Sequence, residues 1–402
     1  MKIRSLKKIF QISLFVGFLI TIYHLLSGEG VDAINYLIMR ENDPRGIISW
    51  EEISSNIFLR HHIPFLITYP FSILGKEIGG ILYILLAYLS LLFILKRVNN
   101  IKKNKSNLRD GYDFKDFFLL SPYIIIYILQ PGKESIVFFS IASIFLTCYK
   151  LNNSIKNRDN KFKTINTIIL IILFLFAVNI RPPILLFLGP SLIISFPQFF
   201  NLSIIKLNRY RFNIQYSFFI IFLLSITIFL TFLFLFNNEF YFEQMNALVK
   251  YGLYVYPEGK LNTGLDIYSS LVSNKIFEVI FSAFIFGIPI SNNLFSNPYS
   301  LIVASIYFLS TQSLYLCILP KIFTKEILSN IKNLIFIQKI NKDNLQKIFL
   351  LSIFIISFLS GGLVLSVGLI FNTGTGVRWM LPYIETLWLI TKFLPEKENI
   401  KS

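Results

Sequence analysis

Cysteine, histidine and acid are all scarce in this chain. Two cysteines in 402 residues, Cys148 and Cys317, lie far apart in separate apolar runs, which excludes a disulfide framework and a cysteine-based metal cluster. His61 and His62 are adjacent and would point apart on a helix, so they make a poor metal site. The sequence encodes no metal site and calls for no cofactor. Acidic residues number 22 against 38 lysines and arginines, a formal net charge of +16. Such an excess invites a nucleic-acid reading, but most of the cations fall in short clusters at 2–8, 96–115, 150–163, 206–211, 321–347 and 392–401, between long apolar stretches. That spacing is the positive-inside pattern of a membrane protein, and no nucleic-acid partner is implied.

What the chain has in abundance is apolar surface. It is 54% hydrophobic and 16% aromatic, with a mean hydropathy of +0.63, more than a soluble core absorbs. The fold class expected is all-α: a polytopic integral membrane protein of about ten transmembrane helices, forming one transmembrane domain over 1–402. Residues 1–27 read as a retained first helix, basic at its start, and both termini are placed on the cytoplasmic side of the membrane. Residues 28–77 form a first outer loop, in which the short segment 62–75, interrupted by Pro64 and Pro70, lies along the surface. Residues 237–298 form a long outer loop ending in a re-entrant or interfacial element, and 321–347 a basic cytoplasmic loop. No internal repeat of 20–50 residues is visible.

Two apolar stretches, 117–149 and 165–200, each begin and end at a basic cluster and are therefore hairpins. The first supplies only about 50 Å of helix for two crossings of a core about 30 Å thick, so its turn sits close to the hydrocarbon. That turn is Gln130, Pro131, Gly132, Lys133 and Glu134; in the second it is Asn179, Ile180, Arg181, Pro182 and Pro183. Irregular backbone at such depth needs cover from protein or a watery cavity, so both turns are expected to line one polar cavity open to the outside.

Lys133, Arg181 and Arg378 are three cations at outward hairpin mouths. Converging, they suit a lipid diphosphate, since a guanidinium meets phosphate in a fork and its charge is little screened in a desolvated cavity. Snorkelling to the interface explains each of them separately. Gly374 and Gly376, leading to Arg378, offer backbone N–H groups to an anion. Glu134 is either the charge partner that holds Lys133 or a base that takes a proton from an acceptor hydroxyl. Asp32, shortly after the first span, is a candidate base or metal ligand, although the charged residues around it also read as a solvated face. The tyrosines of loop 237–274, Tyr254 among them, suit sugar rings or simply anchor the loop at the interface. Gly132-Lys133-Glu134, recurring as Gly75-Lys76-Glu77, resembles the end of a phosphate-binding loop, but glutamate replaces its Ser/Thr and Tyr127 stands where its first glycine belongs.

Taken together, Pro131-Gly132-Lys133-Glu134 in one hairpin turn, Arg181-Pro182 in the next, a long outer loop, and Gly376-Val377-Arg378 before the last span resemble the O-antigen and exopolysaccharide polymerases of the Wzy/EpsG kind. The resemblance implies joining of polyprenyl-diphosphate-linked oligosaccharide units on the outer face, without nucleotide sugar or metal, with Arg181 and Arg378 holding diphosphate. Its partners would be the lipid-linked saccharide, the bilayer and other envelope-glycan assembly proteins. Asp32 and the segment RHHIPFLITYPFSILG are similar instead to multi-span GT-C glycosyltransferases, which use a polyprenyl-phosphate sugar and a first-loop carboxylate; here Ala33 stands where a second acid is usual. A lipid-linked oligosaccharide flippase also explains cations in a cavity, but a transporter tends to place its site near the midplane.

Overall fold

A computed structural model describes residues 3–27, 36–37, 62–105, 114–156, 160–181, 184, 188, 191–192, 195, 314 and 373–393. These are helical apart from short turns. They comprise α1 (Ile3–Leu26), α2 (His62–Ser72), α3 (Lys76–Lys105), a 3-10 segment (Phe114–Leu120), α4 (Pro122–Leu129), α5 (Lys133–Lys156), α6 (Asn160–Ile180) and α7 (Thr373–Phe393). The chain divides into two compact units, 1–188 with 384–402, and 189–383. Nearly everything described belongs to the first; in the second lie 191–192, 195, 314 and the beginning of α7.

Three stretches of helix are long and apolar enough to cross a membrane: Lys7–Leu26, Lys76–Ile101 and Lys133–Leu151. What makes them membrane helices and not core helices is the outer face. On α1 the sequence alternates between Phe10, Leu14, Gly17, Thr21 and Leu25, turned inward, and Ile12, Phe15, Leu19 and Tyr23, each about half or more exposed. α3 exposes Ile78, Leu82, Leu86, Leu89 and Phe93, and α6 exposes Ile165, Ile168, Ile171 and Leu175. Apolar surface of that extent on neighbouring helices would not persist in water and finds its solvent in lipid. The protein is a helical membrane protein.

The two ends of the first unit follow from contacts between helices. Near the start of α3, Tyr83 reaches Ser135 in the first turn of α5; near its end, Asn99 reaches Lys392 on α7. From Tyr83 to Asn99 α3 rises about 24 Å, close to the depth of a hydrocarbon core. Helices α5 and α6 are joined by three residues and return antiparallel, so the end of α6 comes back to the start of α5.

Segment 117–149, read above as a plain helical hairpin, has an unusual first arm. It is a 3-10 turn, a break at Ser121 and the eight-residue α4. Ser121 precedes Pro122, which sits at the first helical position, and has extended backbone as the proline demands. A 3-10 turn climbs faster per residue than an α-helix, which is how so few residues make the passage. This broken arm is sheathed in protein: Phe118, Leu119, Ile124, Ile128 and Leu129 are fully buried. Gly17 of α1 brings the helix so close that a Cβ there would sit 2.7 Å from Ile125.

Segment 62–75, expected to lie along the surface, forms α2, which rests one face on the bundle. Ile63, Phe65 and Thr68 are buried. Gly75, with φ of +84°, turns the chain back into α3. Gly79 then allows contact at van der Waals range, since a Cβ there would overlap the Phe71 carbonyl oxygen. Gly75-Lys76-Glu77 is thus a helix-to-helix turn.

Candidate functional site

The turn between α4 and α5 brings the sequence-selected residues together. Gln130 ends α4: its N–H still bonds the Ile126 carbonyl at 2.9 Å, while its own backbone is extended because Pro131 follows. Gly132 opens α5, its carbonyl accepting from the Ile136 N–H at 3.3 Å. Lys133 and Glu134 therefore stand in the first turn of α5, where a carboxylate interacts favourably with the helix dipole.

Arg181 follows the last residue of α6, its N–H bonded to the Ala177 carbonyl at 3.0 Å. Its Nη2 donates to Glu134 Oε1 at 2.5 Å. The two hairpin mouths chosen from the sequence are thus clasped by one charge-assisted hydrogen bond. Glu134 is 4% exposed and Arg181 15%. Sequence reading paired Glu134 with the adjacent Lys133; the structure gives it Arg181, 47 residues along the chain.

Aromatic side chains cover the turn. Tyr36 lies against Gly132, and its own position is fixed by ring contact with Phe65 at 4.9 Å between centroids and by Thr68 Oγ1, which donates to the Tyr36 carbonyl at 2.9 Å. Tyr83 donates to Ser135 Oγ at 3.0 Å and meets the Phe71 ring edge-on. The turn expected to line open water is therefore mostly buried: Gln130, Pro131, Gly132, Glu134 and Ser135 have little exposure, whereas Lys133 and Arg181 are part-exposed. The reason is the one that applies to any non-helical backbone at membrane depth, which must be covered by protein.

Tyr36, Tyr83 and Ser135 were not singled out by sequence reasoning. Ser135 adjoins Glu134 and was within reach of it; Tyr36 and Tyr83 are two tyrosines among 20 and carried no signal of their own.

At the opposite end of the unit is a second polar cluster. Lys392 Nζ bonds Asp116 Oδ2 at 2.9 Å and Asn99 Oδ1 at 3.2 Å, and Trp388 Nε1 donates to Asp116 Oδ1 at 2.9 Å. Lys392 is 0% exposed and Asp116 1%, and Phe118 packs on Trp388. The 3-10 segment, α3 and α7 are locked together here.

Of the other sequence-selected residues, Asp32 and Tyr254 lie outside the described residues. Gly374, Gly376 and Arg378 belong to the opening turns of α7, so the glycine-rich approach is helical. The Arg378 side chain lies outside what is described. No protein-family model, curated protein or solved structure matches this chain.

Proposed function

We propose that the chain is a bacterial inner-membrane glycan polymerase that joins polyprenyl-diphosphate-linked oligosaccharide units on the outer face. One observation carries the reading: the Pro131-Gly132-Lys133-Glu134 turn and the Arg181 turn, the two motifs behind the family resemblance, meet through the Glu134–Arg181 bond at one end of the bundle. Positive-inside topology assigns that end to the outside, and the Asn99–Asp116–Lys392 end to the cytoplasm.

The chemistry is a glycosyl transfer. A hydroxyl of one unit attacks the anomeric carbon of another; the new C–O bond forms as the bond to the diphosphate breaks; the diphosphate leaves with its lipid, and the hydroxyl proton passes to a base. Lys133 and Arg181 would hold the diphosphate and stabilise the charge that develops on it, Arg181 by its fork and Lys133 as a point charge. Arg378, with the backbone of Gly374 and Gly376 at the opening of α7, would offer a further anion-binding group. Glu134, oriented by Arg181, would accept the proton. Tyr254, in the segment 237–274, would offer an aromatic face to sugar.

Asp32 is the base or metal ligand in the alternative GT-C reading, and a flippase would need the cations without any bond formation. In the cell, deletion of the gene should make lipid-linked single repeat units accumulate while long polymer disappears. Unchanged polymer length in the deletion strain would remove the proposal.

A further inference from the structure

One buried carboxylate takes no part in either polar cluster. Glu385, on α7, is 0% exposed, and both its oxygens are without a hydrogen-bond partner. The backbone of Ala142 on α5 approaches it but makes no hydrogen bond of ordinary geometry. Its surroundings are unusually closed. From Leu381 to Phe393 every residue of the helix is buried, and Trp388 and Leu389 are wholly so.

Among the described residues, the neighbouring elements offer it no compensating charge. Asp116 on the 3-10 segment and Lys392 on α7 bond each other, and α3 contributes Asn99 to that same group. On α5 no charged side chain lies between Glu134 and Lys150; the titratable groups there are Cys148 and Tyr149. Among the described residues no three His, Cys, Asp or Glu side chains come together as a metal-binding group.

An isolated ionised carboxylate in an apolar interior costs far more than folding can supply, and a glutamate so placed inside a membrane protein is retained for a task. A metal ion or sodium would require several oxygens around it, and a lone carboxylate cannot provide them. A proton requires one. Trp388 and Lys392 follow Glu385 at three and seven residues on the same helix face, but both are engaged with Asp116 and neither bonds the Glu385 carboxyl.

We propose that Glu385 is a proton-binding site within the helical bundle, its carboxyl kept neutral by its apolar surroundings and exchanging its proton with water when the bundle opens around α7. This site is separate from the glycan site and does not depend on that reading.

The test uses the full chain in lipid nanodiscs, with Glu385→Gln as the isosteric control. Difference infrared spectra between the native chain and Glu385→Gln should contain the C=O stretch of a protonated carboxyl, and transfer to heavy water should shift that band. Carboxylate bands in its place would overturn the proposal; a carboxyl band that never shifts in heavy water would overturn the exchange, leaving a sealed structural acid. Dicyclohexylcarbodiimide, which enters apolar sites and reacts with protonated carboxyls, supplies an independent reading: an adduct on the Glu385 peptide that declines as pH rises, and none on Glu134. Protection of Glu385 from the reagent by sodium at constant pH would mean that a metal cation, and not a proton, is the ligand.

Discussion

Arg181 and Glu134 meet at 2.5 Å although 47 residues separate them, and this one bond fixes the end of α6 to the beginning of α5. Because Glu134 is almost wholly buried, the pair is unforgiving of single changes. Removing one partner of a buried ion pair costs about 3–5 kcal/mol, mostly through the charge left behind, whereas neutralising both at matched volume is nearly neutral. Arg181→Met should accordingly lower the thermal stability of the purified protein sharply, and the added change Glu134→Gln should restore most of it. Equal losses in the single and double variants would show that the pair is not coupled.

The same reasoning applies to the Asn99–Asp116–Lys392 cluster with a different functional outcome. Lys392→Met leaves the Asp116 carboxylate buried without its cation, and should destabilise by about 3–5 kcal/mol. Adding Asp116→Asn should recover stability, and glycan turnover per folded molecule should be unchanged in both, since this cluster lies at the other end of the bundle from Glu134. A loss of turnover without loss of fold would assign Asp116 or Lys392 a direct part in the reaction.

Glycines test the packing of α2 on α3. A methyl group at Gly79 would overlap the Phe71 carbonyl oxygen, whereas one at Gly75 would meet nothing within 4 Å and incur only the cost of a left-handed backbone, about 1–2 kcal/mol. Gly79→Ala should therefore be much the more damaging of the two in a denaturation series. Comparable effects would mean that α2 does not rest on α3 as described.

Much of this architecture was legible in the sequence. The apolar runs and basic clusters gave α1, α3 and the α5–α6 hairpin, because lipid imposes length and sidedness on helices through simple composition. Two things were not. Segment 62–75 was recognisable as a proline-interrupted run too short to span, but its close fit on α3 at Gly79 is a tertiary contact with no local signature. The first arm of segment 117–149 looked like an ordinary helix because hydropathy does not distinguish 3-10 from α geometry. At the site, Lys133, Glu134 and Arg181 stood out as charges among apolar neighbours. Tyr36 and Tyr83, which cover them, are ordinary tyrosines until the fold brings them there.

Sidedness can be checked directly. With native cysteines replaced, single cysteines at positions 103 and 133 should react with membrane-impermeant maleimide from opposite faces, position 133 from outside. Labelling of both from one face would overturn the topology on which the outward assignment of Glu134 and Arg181 rests.

Two readings of the chemistry separate by substitution. If arginine stabilises a leaving diphosphate, Arg378→Lys and Arg181→Lys should each lose most turnover, because lysine keeps the charge without the planar fork, while Asp32→Asn keeps much of it. A GT-C mechanism reverses this: Asp32→Asn would abolish transfer, chelation of divalent metal would inhibit, and Arg378→Lys would be tolerated.

The most direct test of the central claim is reconstitution of the purified chain in proteoliposomes with a polyprenyl-diphosphate-linked oligosaccharide repeat unit as the sole substrate. The account predicts products lengthened by whole repeat units, with one polyprenyl diphosphate released for each unit added, and no requirement for nucleotide sugar or metal. Movement of the lipid-linked unit across the bilayer without lengthening, or sugar transfer only when a polyprenyl-monophosphate donor is supplied, would contradict it.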